Sequence, residues 1–342
     1  MAAEIKPIYG IQRTRLSTAV PLRTPYSIYV FPSTYCNFKC VYCAHMFPPD
    51  VIKEKYGLER NNMSLETYRE TISQIAEFPQ KIHLLSLTGQ GEPLMNKNIP
   101  EMVRIAKEAG IAERIEIISN GRLLSPKMAD GLIEAGLDTL RISLQGLNSQ
   151  KYQDIGGVKV NFEEFLANIR YFHRNKGATD LFIKIMDVAL DPGEESRFYD
   201  LFRDCSDRMY VERMLPAYAG VEVTAGMQVD YDRYGRKISQ RNVCPLAFYM
   251  LGVFPEGDVE PCDTIYKPIV LGNVHNERLV DMWQGEKLRE FWKLHLRGER
   301  HTNAKCANCN APNDVSHPED ILDADAEELM QRLADFELAF SA

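Results

Sequence analysis

Cys36-Asn37-Phe38-Lys39-Cys40-Val41-Tyr42-Cys43 is a C-x3-C-x2-C run, and its reading decides the rest of the chain. Three thiolates within eight residues converge on one small volume when they bind something there. Such a loop wraps three corners of a cube and leaves the fourth open. An Fe–S cluster held by three Cys keeps an iron free for a substrate or cofactor, whereas four-Cys clusters usually only carry electrons. The competing reading is zinc on these three Cys and a distant fourth ligand.

Working outward, apolar periodicity predicts six strands, over 27–33, 81–87, 114–119, 138–144, 181–188 and 208–214. Helical patterns lie between them. Ser64 and Ser125-Pro126 read as helix starts, Asn161-Phe162-Glu163-Glu164 as a capping box, and Gly110 and Gly136 as stops. Residues 48–62 read as a polar loop. Strand–helix alternation implies a parallel sheet, whose chemistry collects at the carboxyl ends of its strands. The Cys loop follows the first strand. The second runs into Thr88-Gly89-Gln90-Gly91-Glu92-Pro93, where Gly lets backbone approach a ligand and Glu92 offers a carboxylate to an ammonium.

These motifs resemble the radical S-adenosylmethionine (SAM) superfamily. The resemblance implies an α/β fold, a six-stranded partial (β/α)6 TIM-like barrel. It also implies a [4Fe–4S] cluster on Cys36, Cys40 and Cys43 whose open iron chelates SAM. Residues 88–93 resemble the family's G-G-E-P motif for the SAM amino group, with Gly89, Gly91 and Glu92 as contacts and Gln90 where the motif's first Gly would stand. Tyr42 would flank the adenine. Strand alternation turns Arg141, Ser143 and Gln145 inward, with Lys184, Met186, Tyr210, Glu212 and Met214. Lys184 would meet the SAM carboxylate, and Ser143 or Asn120 the ribose. The alternative is that Arg141, Lys184 and Glu212 neutralise one another as a buried network.

After Met214 the period breaks. Residues 215–243 read as a bridge to a second set: Cys244, Cys262, Cys306 and Cys309. Pro255-Glu256-Gly257-Asp258 is a candidate hairpin turn between the first two, and 276–297 is helical with both Trp. Four thiolates close a site, as structural zinc or as a cluster. The stretch resembles the twitch domain, the shortened form of the SPASM domain, with a spacing close to the 2-deoxy-scyllo-inosamine dehydrogenase type. That implies a small C-terminal Fe–S domain with one auxiliary [4Fe–4S] cluster. The expected divisions are a lead-in over 1–26, the barrel over 27–220, the twitch/SPASM-like domain over 221–312 and an acidic helical tail over 313–342.

The chain has 342 residues, 45% hydrophobic and 26% charged, and a net charge of −8. That composition is globular, and nothing basic is clustered for nucleic acid. No apolar run approaches the roughly 18 residues of a membrane span, and the first residues lack the apolar core of a signal peptide. Eight Cys without an export signal suggest metal or redox use in the cytoplasm.

The resemblance implies reductive SAM cleavage to a 5′-deoxyadenosyl radical that takes a hydrogen from the substrate. Loss of an electron to the auxiliary cluster would complete an oxidation; return of a hydrogen atom would give an epimerisation. Cys205 is the one thiol outside both sets and the candidate hydrogen donor, yet it falls at the amino-terminal end of the sixth strand, which favours oxidation. Glu212 is a further candidate catalytic group. The short lead-in leaves no space for a leader-binding domain, so the expected substrate is a small carbohydrate-like or aminocyclitol-like molecule rather than a peptide. A flavodoxin- or ferredoxin-type protein would supply electrons. The remaining alternatives are a peptide-modifying maturase and a zinc-stapled binding protein.

Overall fold

The computed structural model describes residues 2–7, 13–224, 227, 229–238, 241–314 and 317–341. Ten strands form one sheet: β1 (Glu4–Ile5), β2 (Ser27–Val30), β3 (Ile82–Leu87), β4 (Ala112–Ser119), β5 (Thr139–Leu144), β6 (Asp180–Met186), β7 (Arg208–Glu212), β8 (Met250–Val253), β9 (Asp258–Glu260) and β10 (Gly272–Asn273). Their order is β1-β7-β6-β5-β4-β3-β2-β8-β9-β10. The six from β2 to β7 are parallel and adjacent in chain order, the partial barrel expected.

Local chemistry accounts for the crossovers. Ser64 accepts the Thr67 N–H at the start of helix Leu65–Ile75, and Ser125 accepts Met128 N–H ahead of Pro126–Glu134. Asn161 accepts Glu164 N–H before Phe162–Asn175. Gly110, at φ 60°, ends Ile99–Ala109 in the left-handed region, where a Cβ would be strained. Alternate strand residues, among them Ile28, Leu85, Ile117, Ile142 and Ile183, share one core with the helices' apolar faces.

Four expectations change. Residues 49–56 form a helix, Pro49–Tyr56, where a loop was read: only Ile52 and Tyr56 are buried, too short a stripe to see in sequence. Another helix, Ser149–Gly156, starts at the Asn148 cap. The lead-in is not a loose tail. β1 pairs with β7, Arg13 binds Asp320 at 2.6 and 2.7 Å, and Arg332 donates to the Val20 carbonyl at 3.0 Å. N- and C-terminal segments therefore close on each other, with Leu329 and Leu333 of helix Ala326–Ser341 buried.

The fourth change bears on the site. The expected hairpin is present, β8 antiparallel to β9 across Gly257 at φ 91°. β8 also adds to the barrel sheet, parallel to β2, in the register Ser27↔Met250 through Val30↔Val253. The second cysteine set is thus built on the same sheet as the first. The bridge expected over 215–243 includes residues 225, 226, 228, 239 and 240, which lie outside the described residues. Its described part is more than a linker, because Val221 and Asp232 are buried and Arg233 enters the barrel.

Candidate functional site

The Cys36–Cys43 loop leaves the carboxyl end of β2. Its backbone is pinned where Lys39 N–H donates to the Gly156 carbonyl and Val41 N–H to that of Ile155, both at 2.9 Å. Cys36, Cys40 and Cys43 lie within electrostatic reach of one another. Burial pushes the Cys36 thiol up to about 12, so it ionises readily only when a metal replaces the proton. Tyr42 lies within electrostatic reach of Cys40, and Tyr218 of Cys43.

The turn after β3 fits closely against this loop. Gly91 has no room for a side chain, since a Cβ would lie 2.3 Å from the Ser33 carbonyl and 2.7 Å from that of Tyr35. Gly89 adopts φ 121° and abuts Phe31. Glu92 is buried, with its carboxylate already engaged: it accepts the Ser119 hydroxyl and Asn120 N–H at 2.7 Å and Leu94 N–H at 3.0 Å. Burial raises its pKa against those bonds. Glu92 therefore ties the ends of β3 and β4 beside Cys36. Asn120 reaches across to the Asn37 side chain at 2.7 Å.

Gln90 is a contact that sequence reasoning missed. Its carbonyl bonds to His45 Nε2 at 2.9 Å, and its Nε2 donates to the Asp263 carbonyl at 2.7 Å, one residue beyond Cys262. Its Oε1 lies 3.5 Å from the Tyr218 hydroxyl. The side chain thus spans from one cysteine loop to the other. Sequence offered one signal: a long polar residue where the motif has Gly.

Inside the barrel, Lys184 Nζ lies 2.6 Å from Glu212, Arg233 3.6 Å from Glu212 and 2.6 Å from Asp314, and Arg141 3.4 Å from Glu116. Of the alternative network, the Lys184–Glu212 pair is formed and is extended by Arg233 from the bridge and Asp314 from the tail, whereas Arg141 takes Glu116 as its direct partner. Burial opposes charge on Glu212, but Lys184, Arg233 and Arg141 outweigh it and hold the carboxyl at about 2. Ser143 sits beside Lys184 in register. Glu212 Oε1 and Arg141 Nε are buried and lack a hydrogen-bond partner among the described residues. At the mouth, Asp187, Arg213, Asp230 and Tyr231 line a cleft of about 1110 Å³. Cys205 lies apart from all of this, buried after helix Glu195–Phe202 at the amino end of β7, with Sγ 3.8 Å from the Leu201 carbonyl.

Cys244, Cys262, Cys306 and Cys309 line one cavity. All eight cysteines are free thiols. Among the described residues no group of three or more His, Cys, Asp or Glu is arranged to hold a metal ion. Four Cys at one cavity are a donor set that an Fe–S cluster or a structural zinc takes. Arg300 Nη1 braces the last pair through the carbonyls of Cys306 and Cys309, at 2.5 and 3.1 Å. The His295 ring accepts Cys244 N–H at 3.2 Å; burial, then Arg300, lowers its pKa to about 3. Burial raises Asp263 to about 6.

Comparison with known proteins matches this layout. The radical SAM superfamily matches residues 30–194, and an iron–sulfur cluster-binding domain, SPASM, matches 244–310. The AdoMet-dependent heme synthase of Methanosarcina barkeri is 22% identical over 317 residues, 80% of this chain and 85% of that protein. GTP 3′,8-cyclases match over a shorter stretch; that of Metallosphaera sedula is matched over 40% of this chain and 38% of its own length. Among solved structures, BtrN in complex with AdoMet and 2-DOIA superposes with a TM-score of 0.53 at 19% identity, covering 83% of this chain and 92% of that one. SuiB of Streptococcus suis, bound to precursor peptide SuiA, gives 0.63 at 17% identity over 87% and 72%. No helix among the described residues is long and apolar enough to cross a membrane. Domains of these two kinds carry SAM and [4Fe–4S] clusters, including an auxiliary cluster in the second, and this chain has a radical SAM domain over residues 30–194 and a SPASM-type domain over 244–310.

Proposed function

We propose that Cys36, Cys40 and Cys43 hold the SAM-binding cluster, that Cys244, Cys262, Cys306 and Cys309 hold the auxiliary one, and that the enzyme oxidises a small carbohydrate-like molecule. The observation that carries the reading is the second set: four thiols around one cavity leave no donor position open, and Gln90 straps that set to the first loop. When bound, SAM and the clusters supply a 5′-deoxyadenosyl radical and a one-electron acceptor.

The chain's own residues select and hold the substrate. Arg141, Lys184 and Arg233 are each engaged by a carboxylate, which favours a substrate held by hydroxyl groups over one held by a phosphate. Arg141 Nε–H and Glu212 Oε1 are a donor and an acceptor awaiting partners, which a hydroxyl satisfies on both sides. Oxidation of a carbinol to a carbonyl removes one hydrogen atom, one electron and one proton. Asp263, the residue after Cys262, is the carboxylate proposed to take that proton. Gly89, Gly91, Asn120 and Ser143 keep their proposed SAM contacts, and Tyr42 its place by the adenine. Glu92 and Lys184 keep theirs only alongside the bonds they already make. An acidic flavodoxin or ferredoxin is the proposed electron source, and the cytoplasm the proposed compartment.

A peptide substrate is the second reading, favoured by the size of the mouth cleft. Turnover of candidate sugars, aminocyclitols and peptides in deuterated water separates the outcomes. A carbonyl product without solvent deuterium is expected; a solvent-derived C–D bond would mean epimerisation. Cys205→Ala should leave product formation intact, and its loss with SAM cleavage retained would revive the thiol as donor.

A further inference from the structure

His295 lies on helix Glu286–Leu296, only 1% exposed, and lines the cavity of the four thiols. Its Nδ1 accepts the Cys244 N–H at 3.2 Å. A ring nitrogen that accepts carries no proton, so the single proton of this imidazole is on Nε2. Nε2 is buried and has no hydrogen-bond partner among the described residues. Buried donors are almost always paired, and an orphan at a ligand cavity marks a missing acceptor. Two further polar groups at the cavity point the same way. Thr264 Oγ1 lies 3.4 Å from Cys262 Sγ, and the Arg300 guanidinium sits behind Cys306 and Cys309. The ring also meets Phe291 edge-on, with centroids 4.5 Å apart, which fixes its tilt.

We infer that His295 is a positioning residue for the auxiliary cluster: its Nε2–H donates to a sulfur of the group the four thiols hold and, with Thr264 and Arg300, raises that group's reduction potential. Hydrogen bonds and positive charge near cluster sulfurs stabilise the added electron, and outer contacts of this kind tune a metal group without ligating it. The inference rests on the proposed cysteine assignment and explains why this cluster would accept an electron from a substrate radical.

The test is an EPR-monitored redox titration of anaerobically reconstituted full-length protein, with iron and sulfide assayed on each sample. The first three cysteines are replaced by Ala so that only the auxiliary signal remains. His295→Phe fills the space without the donor and should lower the midpoint potential at unchanged iron content. His295→Gln returns an N–H and should restore most of the shift. Thr264→Val should move the potential in the same direction. An unmoved potential in a fully loaded His295→Phe, or a shift that Gln does not rescue, would overturn the inference. Should the Phe variant fail to load, Thr264→Val and His295→Gln decide: an unmoved Thr264→Val or a lowered His295→Gln overturns it. Zinc in place of iron would overturn both this inference and the cysteine assignment. An epimerised product with the shift intact would defeat only the oxidation reading.

Discussion

Gln90 and Asp263 are joined by a 2.7 Å hydrogen bond from the Gln90 side chain to the Asp263 backbone, and this bond links the loop beside Cys43 to the loop beside Cys262. The two cysteine segments are more than two hundred positions apart in sequence, so the contact is purely tertiary. Gln90→Ala should cost only about 1 kcal/mol of stability, the net worth of one hydrogen bond. Its larger effect should be on coupling: both iron sites load, SAM is still cleaved, and the ratio of 5′-deoxyadenosine to product rises. A ratio equal to wild type would remove Gln90 from the account.

Gly91→Ala tests the close approach at the turn after β3. Its Cβ would press on two backbone carbonyls, Ser33 at 2.3 Å and Tyr35 at 2.7 Å, neither of which can swing aside like a side chain. Overpacking of this kind costs about 3 kcal/mol. Urea denaturation of apo-protein should show that loss; a midpoint within error of wild type would mean the turn is looser than described.

Lys184→Met separates the two roles open to that lysine. Glu212 would keep Arg233, at 3.6 Å, and the weaker pull of Arg141. Breaking a buried pair from one side costs about 3 kcal/mol. The network role predicts that fall in unfolding free energy with SAM affinity little changed. A roughly tenfold weaker SAM affinity, about 1.4 kcal/mol, at wild-type stability would instead identify Lys184 as a SAM contact.

Burial, then Arg13, lowers the His317 pKa below its ordinary 6.5, against the opposing pull of Asp320 and Glu319. The folded state favours neutral imidazole, so the unfolded chain binds more protons just below pH 6.5, and stability falls as pH drops through that window. The slope per histidine is at most about 1.4 kcal/mol per pH unit. His45 and His295 are pushed the same way, so His317→Gln should reduce the slope of apo-protein stability against pH without abolishing it. An unchanged slope would contradict the assignment to His317.

Much of this was legible locally. The βα period, the Ser64 and Ser125 caps and the two Cys spacings are short-range signals, and each appears where periodicity or capping chemistry places it. What sequence concealed was non-local. Nothing in Met250–Val253 distinguishes a strand that stays in a small hairpin from one that extends the barrel beside β2. Arg233 and Tyr218 sit in an aperiodic stretch, so their half-buried places beside Glu212 and Cys43 have no local signature. Asp263 was reachable, since a carboxylate directly after a candidate ligand shares its site. His295 was not: in sequence it is one more polar residue on a helix, and its meaning comes from the cavity it faces.

The central claim is that two four-iron clusters, on separate cysteine sets, act together. Anaerobic reconstitution of wild type should give about eight iron and eight sulfide per chain, falling to about half in Cys262→Ala. With dithionite and SAM, both proteins should release 5′-deoxyadenosine, and only wild type should go on to oxidised product. No 5′-deoxyadenosine from fully loaded wild type, or an unchanged iron content in Cys262→Ala, would contradict it.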